Sequence, residues 1–480
     1  MDISRTKDQI VCSLPTAEKL REAYAAESVA RDRLKAFFDA DTFVELGAYT
    51  KRSYYAFVAT EKTEQLEGVV CGYGAVCGAR VFAFAQDPSR MKGALDARHA
   101  KKICDLYALA MKTGAPIVGI FDCAGADIFE GVEALAGYAS LMRAVTEASG
   151  VIPQIAVIAG LCIGSLAALT SMFDITVMAK GASLYVTSPT FLSKDAEEWK
   201  SLSGIQTEDV TSALAEAARL VAFLPSNASE ALYPEESADS LNRMLAVLDP
   251  DTDAHGTLAA VADHGIYHEL NAELAPEMIT AFCTIGGIKC GVCASDYAIN
   301  EGRLTSAGAR KAARFIGLCD AFGLSVVTLA NSAGLAREES VSNLSFASDL
   351  AKLASAYASA SVPKVSVILG HAIGASFILL GAKALGSDIA YALDEAEIGA
   401  LAAEDAVAFA WSNRITLTVS RDSLEEEWKS TVASPIAAAS TGEIDDIISF
   451  AELRQRICTS LLLLSSKGCA DAYRHAIDPL

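Results

Sequence analysis

Apolar residues recur along this chain in short runs without period-two alternation. PIVGIF (116–121) and SVVTLA (325–330) put hydrophobic side chains on both faces of any strand they form. That pattern predicts parallel strands buried on both sides. Helical segments precede them: HAKKICDLYALAMKTG (99–114) and SAGARKAARFIGLCDAFG (306–323). Two longer stretches, 150–173 and 365–382, carry no charge. Each is long enough to cross a bilayer. Each also splits in the middle. A β-branched run (IAVIAG, VSVILG) leads through glycine into an Ala/Leu segment, and the first stretch contains Pro153 and Gln154. A strand of about six residues followed by a buried helix fits both better than a membrane span.

The elements repeat. GYGAVCGARVFAFAQD (72–87), a helix, the strand APIVGIFD and the loop CAGADIFEG are matched by a second series. It runs TIGGIKCGVCASDYA (284–298), a helix, the strand LSVVTLAN and the loop SAGLA. The strand–glycine–helix segments IPQIAVIAGLCIGSLAAL and VPKVSVILGHAIGASFIL follow in turn. Gly125 and Gly334 are 209 residues apart (334 minus 125), and Gly164 and Gly374 are 210 apart (374 minus 164). A register held across strand, loop and helix predicts an α/β chain of two tandem domains, 1–240 and 241–480. Between them, residues 207–263 are rich in Pro, Ser, Asp and Glu and read as a surface crossover. Residues 253–271 read as a short helix entering the second domain.

Composition narrows the function. The chain has 480 residues, 52% hydrophobic, with 39 basic against 60 acidic residues and a net charge of −21. A full core is expected, and nucleic acid is excluded as a partner for want of any basic run. The start, MDISRTKDQI, has no apolar stretch and reads as no signal peptide. Twelve cysteines without need of disulfides point to a reducing, cytoplasmic compartment. Cys71, Cys77, Cys104, Cys162 and Cys319 lie on segments that read as core. Cys290 and Cys293 form a CxxC on a strand-like segment, which puts the two thiols on opposite faces and argues against zinc. No metal site is expected.

In each half, a glycine loop after one strand and a helix start after the next face the same sheet end. Glycine allows close approach of a ligand, and N–H groups at a helix start are unpaired. Two such donors make an oxyanion hole, so the duplication predicts two holes. The alternative reading, glycines that merely close turns, does not require both elements to recur.

The chain resembles the carboxyltransferase subunits of biotin-dependent acyl-CoA carboxylases and decarboxylases. RDRLKAFFDADTFVELG (31–47), GVVCGYGAVCGARVFAFAQD, KTGAPIVGIFD, SGVIPQIAVIAG and FLPSN (223–227) carry the likeness in the first half. ARKAARFIGLCDAFGLSVVTL, ASVPKVSVILG and SPIAAASTGEIDDII (434–448) carry it in the second. The resemblance implies two tandem crotonase-like domains. It implies one hole for the thioester carbonyl of an acyl-CoA, made by Gly125, Ala126, Gly164 and Ser165. It implies another for the ureido oxygen of biotin, made by Gly334, Leu335, Gly374 and Ala375. It further implies a homo-oligomer, dimer or hexamer. Its sites lie between the N-terminal half of one subunit and the C-terminal half of another. Moving CO2 between an acyl-CoA α-carbon and biotin puts negative charge on oxygen, which backbone donors stabilise without a side-chain base.

No biotin attachment motif is present, so biotin is expected on a separate carrier protein. The other expected partner is a biotin carboxylase or a membrane decarboxylase subunit, through which the chain would be membrane-associated. The family's loop Ser-Gly-Gly-Ala-Arg is here Cys123-Ala124-Gly125-Ala126-Asp127, and its Gly-Gly helix starts are Gly164-Ser165 and Gly374-Ala375. These departures keep two alternatives open: a non-catalytic structural subunit, and a crotonase-like acyl-CoA hydratase or hydrolase. Asp127 and Glu130 would serve the latter as acid and base, or form a solvated loop with Glu130 bonded to backbone. His371 reads either as a group near biotin or as a histidine bonded at a helix start. His99, Lys101 and Lys102 read either as a reach towards CoA phosphates or as a solvated helix face.

Overall fold

The computed structural model describes residues 27–50, 66–187, 204–246 and 248–467. It divides into two compact units, Met1–Glu230 and Ala231–Leu480.

The first unit runs α1 (Val29–Phe37), β1 (Val44–Leu46), β2 (Val69–Val76), β3 (Ala79–Gln86), α2 (Ala97–Thr113) and β4 (Ile117–Cys123). It continues α3 (Val132–Ala148), β5 (Gln154–Ile163), α4 (Ser165–Thr170), β6 (Ile175–Ala179), β7 (Ser183–Tyr185), β8 (Ile205–Thr207) and α5 (Val210–Phe223). The sheet order is β1-β2-β3-β4-β5-β6-β8, with β7 paired to the end of β5. β1, β2 and β3 are antiparallel neighbours, and the pairs from β3 to β8 are parallel. Helix α2 buries Ile103, Leu106, Tyr107 and Ala110, one stripe at helical spacing. Beneath it, Phe84, Phe121 and Phe173 meet edge to face, each neighbouring pair with centroids 5.4 Å apart. Such pairs add about 0.5–1.5 kcal/mol each beyond their burial. Truncating the central ring, Phe121→Ala, would cost about 3–5 kcal/mol.

The second unit repeats the plan. It has α6 (Ala254–Val261), β9 (Tyr267–Leu270), β10 (Met278–Ile285), β11 (Ile288–Ser295), α7 (Ser306–Ala321) and β12 (Ser325–Ser332). It goes on α8 (Glu339–Ser342), α9 (Phe346–Ser359), β13 (Lys364–Ile373), α10 (Ala375–Leu379), β14 (Ile389–Leu393) and β15 (Glu397–Gly399). It closes with α11 (Ala403–Ala410), α12 (Arg421–Thr431), α13 (Pro435–Ala439), β16 (Asp446–Ile448) and α14 (Leu453–Leu464). The order β9-β10-β11-β12-β13-β14-β16, with β15 on β13, matches the first sheet strand for strand.

Three expectations need correction. The segment 207–263 is not a surface crossover throughout: α5 buries Ala213, Leu214, Ala217, Leu220 and Val221. Residues 253–271 hold a helix only to Val261 and then form β9. Cys77 sits exposed in the turn between β2 and β3, and Cys104 is half-buried. Cys71, Cys162 and Cys319 are buried as expected. Cys290 and Cys293 are both buried on β11, where an offset of three turns them to opposite faces. Cys290 joins the cluster that includes Cys283 and Cys458. Burial pushes the Cys293 thiol up to about 12, against the pull of the Lys311 ammonium. Both uncharged stretches are a strand followed by a short helix, although the strands run to ten residues. No helix among the described residues is long and apolar enough to cross a membrane. No group of three His, Cys, Asp or Glu among them is placed to hold a metal ion.

Candidate functional site

β4 and β5 run side by side, with Phe121 opposite Ile158 and, past a shift in register, Cys123 opposite Cys162. The chain leaves both strands at the same sheet end, which brings the loop 124–126 against the start of α4. A Cβ built on Gly125 would stand 3.8 Å from the Ile163 carbonyl oxygen. In the second unit Ser332 lies opposite Ala372, and a Cβ on Gly334 would stand 3.5 Å from the Ile373 carbonyl oxygen.

The loops are fastened on both sides of one residue. Leu95 N–H donates to Gly125 O at 2.9 Å, and Asp127 N–H donates to Leu95 O at 2.8 Å. The ladder therefore skips the Ala126 N–H. In the second unit Leu304 N–H donates to Gly334 O and Ala336 N–H to Leu304 O, both at 3.0 Å, and the Leu335 N–H is skipped. The glycine N–H groups are engaged. Gly125 N–H faces Cys123 Sγ at 3.4 Å, and Gly334 N–H donates to Ser332 Oγ at 3.2 Å. Gly164 N–H donates to Tyr185 O at 2.7 Å, and Gly374 N–H to Gly399 O at 2.8 Å. The N–H groups of Ala126, Ser165, Leu335 and Ala375 donate to no protein acceptor among the described residues. So the second member of each expected pair carries the open donor, and the glycine shapes the backbone that presents it. Gly164 (φ +74°) and Gly374 (φ +60°) hold left-handed backbone directly before α4 and α10. A Cβ on Gly164 would meet nothing within 4 Å, so the space beside the Ser165 N–H is open.

Behind each loop sits a strand-end residue that the sequence did not single out. Asp122 accepts the Leu161 N–H at 3.2 Å and pairs with Arg33 at 2.9 Å. Asn331 accepts the His371 N–H at 2.8 Å and donates to Asp251 at 2.8 Å. The 209-residue offset that pairs Gly125 with Gly334 also pairs Asp122 with Asn331, which is the signal that would have found them.

The remaining candidates fall differently. Glu130 is buried, and its Oε2 accepts the Ala97 N–H at 2.5 Å, at the start of α2. Asp127 is also buried, and its Oδ1 accepts the Phe129 N–H at 3.0 Å. Glu130 does bond to backbone, but neither carboxylate is solvated: both fold back onto N–H groups, while Ile128 and Phe129 between them are exposed. Asp96 caps α2 through the His99 N–H at 2.8 Å, and burial, then the Glu67 carboxylate, raises its pKa.

His99 is fully buried beside Glu67 and Gln86, so it belongs to neither expected reading. Lys102 donates to Val69 O at 2.8 Å, and the exposed Lys101 pairs with Asp105 at 2.6 Å. Both line a cavity of about 430 Å³ with Arg98, Gly47 and Leu109. His371 is not bonded at a helix start. It lies on β13, its ring stacked on Tyr297 with centroids 4.6 Å apart.

The carboxyl transferase domain family matches residues 21–476. The chain belongs to that family. It is 32% identical over 470 residues to the propionyl-CoA carboxylase carboxyltransferase subunit of Haloferax mediterranei, covering 91% of this chain and 90% of the relative. It is 34% identical over 466 residues to the methylmalonyl-CoA decarboxylase subunit alpha of Veillonella parvula, again covering 91% and 90%. Its fold matches the transcarboxylase 12S crystal structure, a hexamer with methylmalonyl-coenzyme A bound, at a TM-score of 0.86. That match has 27% identity and covers 100% of both chains. The tandem crotonase-like architecture expected from the sequence is present.

Proposed function

We propose that this carboxyltransferase moves CO2 between an acyl-CoA of the malonyl, methylmalonyl, propionyl or glutaconyl class and biotin held on a separate carrier protein. One observation carries the reading. Each unit presents, on a loop and on the neighbouring helix start, two backbone N–H groups without an acceptor among the described residues, at matching places in a duplicated fold.

In the first unit, Ala126 and Ser165 would hold the thioester oxygen. As the α-carbon gains or loses its carboxyl group, negative charge gathers on that oxygen, and both N–H groups would stabilise it. Removing one such donor costs about 3–4 kcal/mol of transition-state stabilisation in comparable sites. In the second unit, Leu335 and Ala375 would do the same for the ureido oxygen of biotin. The residues fit that group: neither N–H has an acceptor among the described residues, and the loop at Gly334 comes close to Ile373, just before the start of α10. Bound biotin supplies the ring nitrogen that takes or gives the carboxyl group. Gly125, Gly164, Gly334 and Gly374 set the backbone and leave room.

The alternatives lose their motive at Asp127 and Glu130. Both carboxylates are bonded to N–H groups of their own loop or of α2, so neither stands ready as the acid or base of a hydratase. The Asp127 departure turns the side chain back into its loop and leaves the Ala126 N–H open.

Exposed apolar side chains follow each loop, among them Ile128 and Val132 in the first unit and Val341 and Leu344 in the second. Exposed apolar surface of this kind supports a homo-oligomer, in which further copies would cover it. A biotin carboxylase or a membrane decarboxylase subunit would set the direction of transfer, and the chain would work in the cytoplasm. The test is incubation of the purified chain with malonyl-CoA, methylmalonyl-CoA or glutaconyl-CoA plus free biotin. Loss of the carboxyl group from one of them is expected, and loss from none would overturn the reading.

A further inference from the structure

The two units are alike in backbone and unlike in one cluster of side chains. On the first, the end of β5 pairs with β7, and Leu161 lies opposite Ser183. On the second, the end of β13 pairs with β15, and His371 lies opposite Glu397. The same fold therefore holds the strand with a leucine–serine pair in one place and a histidine–carboxylate pair in the other. Packing does not demand the second.

The cluster is closed on itself. His371 N–H donates to Asn331 Oδ1 at 2.8 Å. Asn331 Nδ2 donates to Asp251 Oδ1 at 2.8 Å. Asp251 Oδ2 returns to the ring, 3.6 Å from His371 Nε2. On its other edge His371 Nδ1 lies 3.7 Å from Glu397 Oε2, which also faces Lys429 at 3.5 Å. Tyr297 covers the imidazole face at an interplanar angle of 19°. The ring is thus stacked on one face, and a carboxylate faces each of its nitrogens at 3.6 and 3.7 Å.

Glu397 connects this cluster to the second hole. Its Oε1 accepts the Ala403 N–H at 2.9 Å, which fixes the turn 400–402. It opens the strand whose last residue, Gly399, receives the Gly374 N–H at 2.8 Å. Within the turn, the Ala400 carbonyl oxygen stands 3.3 Å from where a Gly374 Cβ would be. Burial pushes the Glu397 carboxyl up. The His371 ring, the Ala403 N–H and the Lys429 ammonium outweigh that and leave it below its usual range. Glu397 stays an anion that ties β13, α11 and α12 together.

We infer that His371 is a positioning residue for the second hole. It holds Glu397 and β15 against β13, so that Gly374 is fixed and the Ala375 N–H is aimed. The inference rests on the assignment of that hole to biotin. It makes the cluster a feature of the biotin side alone, since the acyl-CoA side keeps Leu161 and Ser183 in its place.

The experiment uses the full chain and methylmalonyl-CoA decarboxylation driven by free biotin. His371→Phe keeps a flat ring over Tyr297 and loses both nitrogens, whereas His371→Gln keeps a polar group within reach of Glu397. His371→Phe should lower kcat/KM for biotin about tenfold to hundredfold, the scale of displacing a reacting group by about an ångström. The KM for methylmalonyl-CoA should be unchanged, and His371→Gln should recover most of the loss. Wild-type kcat/KM for biotin in His371→Phe would overturn the inference. So would a matching loss of methylmalonyl-CoA affinity, or a loss shared by both variants that follows their melting temperatures. A wild-type chain that is inactive with biotin would instead overturn the functional reading, and the inference with it.

Discussion

Glu130 reaches back across the loop to accept the Ala97 N–H at 2.5 Å, and Glu339 accepts the Ser306 N–H at 2.8 Å in the second unit. Both carboxylates satisfy an N–H in the first turn of a helix, α2 in the first unit and α7 in the second. Such a bond is worth about 1 kcal/mol. Glu130→Ala should therefore lower stability by about that much and leave turnover close to wild type. Denaturant unfolding and steady-state rates check both. A fall in rate of a hundredfold or more, the scale of a lost general acid or base, would restore the hydratase reading.

Gly164 is held at φ +74° with open space where a side chain would go. The Cβ that Gly164→Val adds meets none of the described residues within 4 Å, so its main expected cost in the folded chain is backbone strain of about 1–3 kcal/mol. The added methyls would project beside the Ser165 donor. The expected outcome is an oligomer that still forms, a lowered melting temperature, and turnover cut far beyond that stability loss. Size-exclusion chromatography, thermal melting and initial rates separate these effects. Full activity would remove Gly164 from the site.

Lys311 is buried inside the second unit, and its Nζ donates to Leu274 O at 2.8 Å. Burial lowers the ammonium from 10.5 to about 8, with Glu269, Glu277 and Cys293 opposing. Below pH 8 the lysine is charged in both folded and unfolded chains, and the burial penalty is felt in full. Between pH 8 and 10.5 the unfolded chain holds more protons than the folded one, so stability rises with pH. The stability of wild type relative to Lys311→Met should be flat below pH 8. It should then climb by up to about 3 kcal/mol as pH approaches 10.5. A difference that stays flat through that window would show that the lysine keeps its proton.

The repeat, the parallel strands and the placing of both loop–helix pairs were legible in the sequence, because buried runs and glycine offsets recur at fixed spacing. Helix α5 was not. Its apolar stripe is short and sits in a stretch whose Pro, Ser and Glu content speaks for a linker. Which donor in each pair is open was not legible either. That depends on Tyr185 and Gly399, the last residues of three-residue strands too short to show a period. The burial of Asp127 and Glu130 was hidden for a similar reason. A loop carboxylate reads as solvated until the N–H groups that receive it are placed.

The central claim is that Ala126 and Ser165 serve the acyl-CoA while Leu335 and Ala375 serve biotin, through backbone N–H groups alone. Ser165 and Ala375 are the first residues of α4 and α10, a position where proline is tolerated; it removes the donor and puts its Cδ where the N–H hydrogen stood. Neither N–H has an acceptor to lose among the described residues. The decisive measurement is biotin-dependent loss of carboxyl from methylmalonyl-CoA by Ser165→Pro and Ala375→Pro, with affinities for methylmalonyl-CoA and biotin measured separately. Each variant should stay folded and lose about a hundredfold to a thousandfold in turnover. Ser165→Pro should weaken handling of the thioester and Ala375→Pro that of biotin. Wild-type turnover in either folded variant, or the same affinity change in both, would contradict the account.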